Sequence, residues 1–400
     1  MTRLAGASGR HVLILNRRDS SHPEGGGSEV FLERVAVRLV ELGWRVTVLC
    51  SDYPGAASEE EILGVRYVRR GGDLSLYPRA ALAVAGQAFG RGAVAPCDVI
   101  VDVQNGMPFL SPLFTRTPVV NLVHHVHREQ WPVVLPAPQA RLGWLLESKV
   151  APRVYRGHRY VAVSEATRRE LIELGVDPES IGVVHNGTDV KALPAQPRAV
   201  RPTVLAVSRL VPHKRLDLAV RAVALLRDRV PGLRLLIAGT GYWERELRDL
   251  VARLGAGDQV ELLGWVDEDD KHRLMAEAWV MAAPSLKEGW GLSVIEAAAH
   301  GTPSVAFHGA GGLSESIIDG QTGLLVHGGG VQGFAAGLEQ LLVDRDLRRR
   351  MRAAAAAHAT GFTWSATAKG MAAVLEDVLA AQENTTEGRH ATTPARSERG

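Results

Sequence analysis

The chain has 400 residues, 46% hydrophobic and 22% charged, which is enough for two soluble cores of ordinary composition. A formal net charge of +2 gives no ground for nucleic-acid binding, and no apolar run approaches the ~18 residues that would span a bilayer. Two cysteines, Cys50 and Cys97, make neither a disulfide framework nor a zinc site, which fits a reducing, cytoplasmic compartment.

The opening stretch MTRLAGASGRHVLILN lacks the apolar core of a secretory signal. His11 to Leu15 reads as a short buried strand, followed by a polar loop ending at Gly25, Gly26 and Gly27. Leu32, Val35, Ala36 and Leu39 then recur on one helical face, Gly43 ends that helix, and Trp44 to Cys50 is the next strand. This is a βαβ unit with a phosphate-friendly first turn. Further strands are expected at Val99 to Val103, Val119 to Val123 and Tyr160 to Val163, and a helix at Glu165 to Glu173. The prolines at 194, 197 and 202 mark a linker.

A second β/α series starts at Thr203 with TVLAVSRL and continues through RLLIAG, VELLGWV, WVMAAPS and PSVAF, with helices between. Two such series joined by a linker imply two doubly wound domains facing a cleft. The expected division is a first domain over 1–190, a linker over 191–202 and a second domain over 203–362. A last helix is expected over 363–382, with the first domain one of the two it could pack against, and 383–400 is expected to be a disordered tail, because AQENTTEGRHATTPARSERG has no Leu, Ile, Val or Phe.

The segment KEGWGLSVIEAAAHGTP carries the chemistry. Glu288 falls in the loop before a helix that starts near Leu292, and Glu296 falls about one turn inside it. Between them Gly289, Trp290, Gly291 and Leu292 offer backbone N–H groups at a helix N-terminus, where roughly half a positive charge attracts anions. A diphosphate flanked by two hydroxyl-rich rings satisfies both features: the amides face the phosphates, and each carboxylate accepts from vicinal hydroxyls. In VSRLVPHKRLD, Arg209 and Lys214 leave the first strand of the second domain and could neutralise such a diphosphate. The bland alternatives are an acidic helix start and solvated loop cations.

Together the glutamate pair, SRLVPHKR, AGTG, HNGTD and GGLSESIIDGQTGLLV resemble GT-B glycosyltransferases, specifically family 4, over about residues 11–326. The resemblance implies two Rossmann-like domains around a central cleft. It also implies retaining, metal-independent transfer of a hexosyl unit from a UDP- or GDP-linked sugar to a glycan, lipid-linked or small-molecule hydroxyl. No cofactor is expected, since the nucleotide sugar is a substrate. On that pattern Arg209 and Lys214 contact the diphosphate, Glu288 the sugar and Glu296 the ribose. Gly26, Gly27, Gly239 and the amides of Gly289, Trp290, Gly291 and Leu292 complete the donor site, with Trp290 standing where phenylalanine is more usual. Of His124, His125 and His127, the first best matches the histidine brought to the reacting carbon. The other two read as loop histidines at the acceptor face.

Three rivals stand beside this reading. A nicotinamide-dependent oxidoreductase would use Asp52 as its ribose acid, but GGGS lacks the G-x-G-x-x-G fingerprint. A sugar-nucleotide epimerase of the same fold would convert donor alone, and a non-catalytic paralogue would only bind it. The Asp267–Glu268–Asp269 triplet mimics a metal-binding D-x-D but reads as a helix cap, as does Asp344. Finally, Leu142, Leu145, Leu146 and Val150 form a stripe near Arg141, Lys149 and Arg153. It reads equally as a core face and as a surface resting on anionic lipid, the latter placing the protein peripherally at the inner face of the plasma membrane.

Overall fold

The structure, a computed structural model, describes residues 9–87, 89–90, 92–189 and 197–391, with side chains described as far as residue 384. Residues 191–196 of the expected linker and 392–400 of the expected tail lie outside the described residues.

The first lobe runs β1 (His11–Leu15), α1 (Gly27–Glu41), β2 (Arg45–Cys50), β3 (Glu59–Ile62), β4 (Val65–Arg69), α2 (Leu76–Gln87), β5 (Val99–Gln104) and β6 (Val119–Val123). It continues through α3 (Trp131–Val134), α4 (Ala137–Leu145), a π-helical turn at Leu146–Val150, α5 (Ala151–Val154), β7 (Arg159–Ala162), α6 (Glu165–Glu173) and β8 (Ile181–Val183). Its sheet has the order β3-β4-β2-β1-β5-β6-β7-β8 and is parallel except for the β3–β4 hairpin. Strands such as HVLIL and VVNLV are buried along their whole length, as a parallel sheet covered on both faces requires. The outer strand EEEI is charged instead, which guards the open edge.

The second lobe holds β9 (Thr203–Val207), α7 (Leu216–Leu225), β10 (Arg234–Ala238), α8 (Glu244–Arg253), β11 (Val260–Gly264), α9 (Glu268–Glu277), β12 (Val280–Ala283) and α10 (Leu292–Ala299). After them come β13 (Ser304–Phe307), α11 (Leu313–Ser316), β14 (Gly323–Val326), α12 (Gly330–Val343) and α13 (Arg345–Ala359). The six strands are ordered β11-β10-β9-β12-β13-β14, all parallel. In each sheet the chain reverses direction beside its first strand, between β1 and β5 and between β9 and β12. Loops at the carboxyl ends there form the crevice where such sheets bind ligands.

The final helix α14 (Trp364–Ala391) returns to the first lobe. Trp364, Met371, Leu375 and Leu379 join Phe31, Leu32, Val35 and Leu39 of α1 in one buried cluster. It departs from the expected tail at 383, because the helix continues to Ala391. Extending a formed helix needs only one residue ordered per hydrogen bond, so a polar sequence can carry it past its last apolar contact. The linker also ends sooner than residue 202. Arg198 already donates to the Ala278, His300 and Gly301 carbonyls of the second lobe, and Ala199 N–H to Glu277 O. The two connections between lobes lie side by side, with Thr188 N–H on Phe362 O at 3.1 Å.

Candidate functional site

Between the lobes lies a cavity of about 340 Å³. The first lobe contributes Gly25, Gly26, Gly27 and Val30. The second contributes the loop after β9, the loop after β12 and the start of α10. Of the expected residues, Gly26, Gly27, Arg209, Lys214, Glu288, Gly291, Leu292 and Glu296 all line it.

Each wall has a local cause. Gly26 caps α1, its N–H donating to Glu29 Oε2 at 2.8 Å, and a Cβ there would sit 3.3 Å from Arg209 Nε. The glycine therefore lets the first lobe come up to the guanidinium of the second. Lys214 closes a short 3₁₀ turn, Pro212–Lys214, and Leu286 N–H donates to His213 O at 2.9 Å, fastening that turn to the Glu288 loop. Gly291 caps α10 in the left-handed region, at φ 93°, which opens the helix N-terminus toward the cavity.

The carboxylates are paired. Glu288 Oε1 accepts from Lys214 Nζ at 2.5 Å and from Ser285 Oγ at 2.7 Å. Burial pushes its carboxyl up, but Lys214 and Ser285 outweigh burial and hold it below the usual carboxylate range. Glu296 Oε1 accepts from Lys271 Nζ at 3.0 Å, and the same ammonium lies 3.0 Å from Glu268. Here burial wins, and the Glu296 carboxyl is raised. Among the described residues neither Oε2 has a partner, so both are free to accept. Lys271 belongs to none of the sequence motifs, since the acidic triplet before it reads only as a helix cap. Asp267 does cap α9, accepting from Asp270 N–H at 2.7 Å, while Glu268 turns toward the cavity. Lys271 and Glu268 share a helix face one turn apart, but only the fold brings Glu296, 25 residues on, to the same ammonium.

Four expected residues lie off the cavity wall. Gly239, at φ 135°, lets the exits of β9 and β10 cross, since a Cβ would meet Ser208 O at 2.0 Å. Gly289 makes room for the other lobe, as its Cβ would fall 2.2 Å from the His124 carbonyl oxygen. The Trp290 side chain turns away from the cavity and packs on His185 and Phe362, with ring centroids 4.5 and 4.9 Å apart. His124 is buried edge-on to Phe31, its carbonyl accepting from Thr167 Oγ1 at 3.1 Å. Burial, then the charge of His127, lowers this imidazole to about 4, and its Nε2 is a buried polar atom without a partner. An orphan of this kind calls for a ligand or a water.

The lobes are bolted beside the cavity. Lys287, only 6% exposed, lies 3.0 Å from Glu129 and also pairs with Glu170, both on the first lobe. Glu315 accepts from the N–H groups of Glu165 (2.8 Å) and Ala166 (2.7 Å), capping α6 from the opposite lobe.

A family model described as Glycosyltransferase Family 4 matches residues 25–192, and one described as Glycosyl transferases group 1 matches residues 194–358. The D-inositol 3-phosphate glycosyltransferase of Stackebrandtia nassauensis is 30% identical over 403 residues, covering 89% of this chain and 88% of that protein. The chain belongs to glycosyltransferase family 4. The enzyme of the same name from Nocardia farcinica is 40% identical over 231 residues, covering 53% of this chain. The aligned region spans about half the length of that relative, 51%. Among solved structures, sucrose-phosphate synthase from Thermosynechococcus elongatus superposes with a TM-score of 0.78 at 21% identity, covering 93% of this chain and 100% of that one. Anabaena HepE, solved in complex with UDP-glucose, gives 0.70 at 20% identity, covering 92% and 99%. The family 4 fold is therefore GT-B, two Rossmann-like sheets across a cleft. Among the described residues no helix is long and apolar enough to cross a membrane.

Proposed function

We propose that this family 4 protein transfers a hexosyl unit, with retention and without a metal ion, from a nucleoside-diphosphate sugar to a hydroxyl acceptor. The observation that supports this best is the pairing at the cavity: two carboxylates, each engaged through Oε1 and open at Oε2, on either side of a cationic, amide-lined wall. Glu296 would accept from the ribose hydroxyls and Glu288 from the sugar. An ammonium has three N–H donors. Lys214 gives one to Glu288, leaving two, with the Arg209 guanidinium, for the diphosphate.

As the bond between the anomeric carbon and the phosphate oxygen breaks, negative charge grows on the departing diphosphate. Arg209, Lys214 and the first turn of α10 oppose it, and a preorganised term of this kind is usually the largest in catalysis. Loss of one such donor costs roughly 3–4 kcal/mol of barrier, about a hundredfold or more in rate. The acceptor oxygen adds on the face the diphosphate leaves, and its proton passes to a diphosphate oxygen. His124, whose backbone carbonyl abuts Gly289 and whose Nε2 is buried without a partner, would serve the sugar side of this site.

UDP-glucose is the first donor to try, since the Anabaena fold relative was solved with it. Polyol phosphates are the first acceptors, after the curated relatives. Incubation with each donor in excess chelator should give an α-linked product from an α-linked donor. An inverted product, or one formed only with added metal, would contradict the proposal.

Membrane contact has one observation in its favour. Leu142 and Leu145 are 57% and 51% exposed, beside exposed Val133 and Val134 and the cations Arg141, Lys149 and Arg153, so the α4 half of the stripe is open to solvent, while Leu146 and Val150 in the π-helical turn are half-buried. Co-sedimentation with anionic but not zwitterionic vesicles would fit a cytoplasmic enzyme resting on the inner membrane face. Equal failure with both would end that reading.

A further inference from the structure

The loop from His124 to Trp131 holds an arrangement that the donor cavity does not use. Glu147 is fully buried, a costly place for a carboxylate unless it is well supplied with donors. It is: it accepts from the backbone N–H of His127 (3.1 Å to each oxygen), from His127 Nδ1 at 2.9 Å and from Trp131 Nε1 at 2.7 Å. The fold makes special provision for the cluster. Glu147 sits in the π-helical turn between α4 and α5, a wide turn that recurs at functional sites. The Trp131 indole lies where Gly106 and Gly143 leave space, since Cβ atoms there would come within 3.1 and 2.8 Å of the ring.

The chemical consequence follows from the partner. Both Glu147 oxygens are acceptors in this cluster, so His127 Nδ1 is the donor that carries the hydrogen, and Nε2 is the ring nitrogen left for an outside partner. Nε2 has no partner among the described residues, and the side chain is 13% exposed. One face of the ring is pinned by His125, centroids 3.9 Å apart, and His125 is itself held by Gln130 Oε1 at 3.0 Å. The cluster stands at the cleft: α3, which begins at Trp131, packs against the Pro212–Lys214 turn that carries one wall of the donor cavity.

We infer that His127 Nε2 accepts a hydrogen bond from a hydroxyl of the acceptor polyol, with Glu147 and Trp131 as positioning residues that fix its tautomer and aim. The inference rests on the transferase reading above and adds the first acceptor-side contact to it. It needs no proton transfer; the bond orients the polyol and tells it from analogues lacking that hydroxyl. A site built around one hydrogen bond of this kind rejects the deoxy analogue because its own polar atom is then left unpaired.

The test compares His127→Asn with His127→Gln. Asparagine keeps an N–H donor for Glu147 at the place of Nδ1 but has nothing at Nε2, whereas glutamine restores a polar group near Nε2. Initial rates are read with UDP-glucose against a panel of D-inositol 3-phosphate, myo-inositol, glycerol 3-phosphate and glucose, beside calorimetry of UDP. The expected result for His127→Asn is an acceptor KM raised about tenfold or more, UDP affinity within about twofold of the parent, and part of the loss regained by His127→Gln. An unchanged acceptor KM in His127→Asn would make His127 a brace for the loop and overturn the inference, as would turnover of none of these polyols by a parent that binds UDP. Failure of the parent to bind any nucleoside diphosphate would instead sink the donor reading beneath it. Nitrogen NMR of the parent gives a second readout: the Nδ1–H tautomer, with Nε2 shifting on addition of the polyol, is expected. The opposite tautomer overturns the inference.

Discussion

Replacing Glu296 with glutamine separates binding from stability. Burial holds this carboxyl above its unfolded value, so the charged form is disfavoured in the folded protein. The sign follows: a raised carboxyl contributes stability below its unfolded pKa and loses it as pH rises through the folded value, so at neutral pH the ionised side chain is a cost. Glutamine removes that cost, while Lys271 keeps Glu268 at 3.0 Å. Stability should therefore hold or rise. Nucleotide affinity should fall, because two hydrogen bonds from ribose hydroxyls to a carboxylate become bonds to a neutral amide. Charged hydrogen bonds contribute roughly 1.5–3 kcal/mol against about 1 for neutral ones, so the pair loses about 2 kcal/mol, or ~30-fold in Kd. Calorimetry of UDP and GDP with thermal melts of the same samples checks both halves. Unchanged affinity would remove Glu296 from the ribose, and a melting point that falls with affinity would make its role structural.

Other outcomes follow from the same geometry. Glu288→Gln should leave UDP affinity within about twofold but lower turnover about a hundredfold, since its open oxygen serves the sugar and its other oxygen aims Lys214; steady-state rates beside calorimetry decide it. Gly289→Ala places a methyl 2.2 Å from the His124 carbonyl oxygen, so a denaturant melt should show a loss of about 1–3 kcal/mol or a forced parting of the lobes visible by X-ray scattering. Lys287→Met removes the ammonium shared by Glu129 and Glu170, whose carboxylates are 45% and 27% exposed, so it should cost only about 1 kcal/mol but raise the donor KM; wild-type behaviour in both would show that the bolt does not hold the cleft. On acidification, burial lowers His124, His213 and His300 to about 4 from an unfolded value of about 6.5. A lowered imidazole gives stability above its unfolded pKa that is lost as pH falls to the folded one, about 3 kcal/mol for fully buried His124. Asp102, raised to about 6 by burial, works the other way over nearly the same range, as do the raised carboxyls of Glu170 and Glu296, but His125, pushed well below its ordinary value by burial, adds a fourth lowered histidine. Net loss of stability between about pH 6.5 and 4 is expected in urea melts, and a flat profile would contradict it.

Much of the frame is legible in the sequence because its signals are local. HVLIL, the α1 stripe and the capped helix Glu165–Glu173 each follow from periodicity and neighbouring glycines or serines, and the structure has them at or near the expected bounds. The charged edge strand EEEI was not legible, since a strand paired on one side needs no apolar pattern. Nor was the end of α14, where polar residues carry no signal in either direction. At the site, Glu288 and Glu296 stand out because carboxylates in an apolar stretch need a reason. Trp290 looked equivalent to its glycine neighbours, yet its indole serves the junction with His185 and Phe362, contacts between residues far apart in the chain. Lys271 and the Glu147–His127 pair were hidden for the same cause. Each acquires meaning only when two helices or two loops, 20 or more residues apart, are brought together.

The most direct test is a crystal structure of the protein grown with a nucleoside-diphosphate sugar in the presence of chelator. The account predicts diphosphate oxygens within ~2.7–3.1 Å of Arg209 and Lys214, near the first turn of α10, with ribose hydroxyls on Glu296 and the hexose on Glu288. A diphosphate lodged away from both cations, or ring hydroxyls that leave both acids untouched, would contradict it.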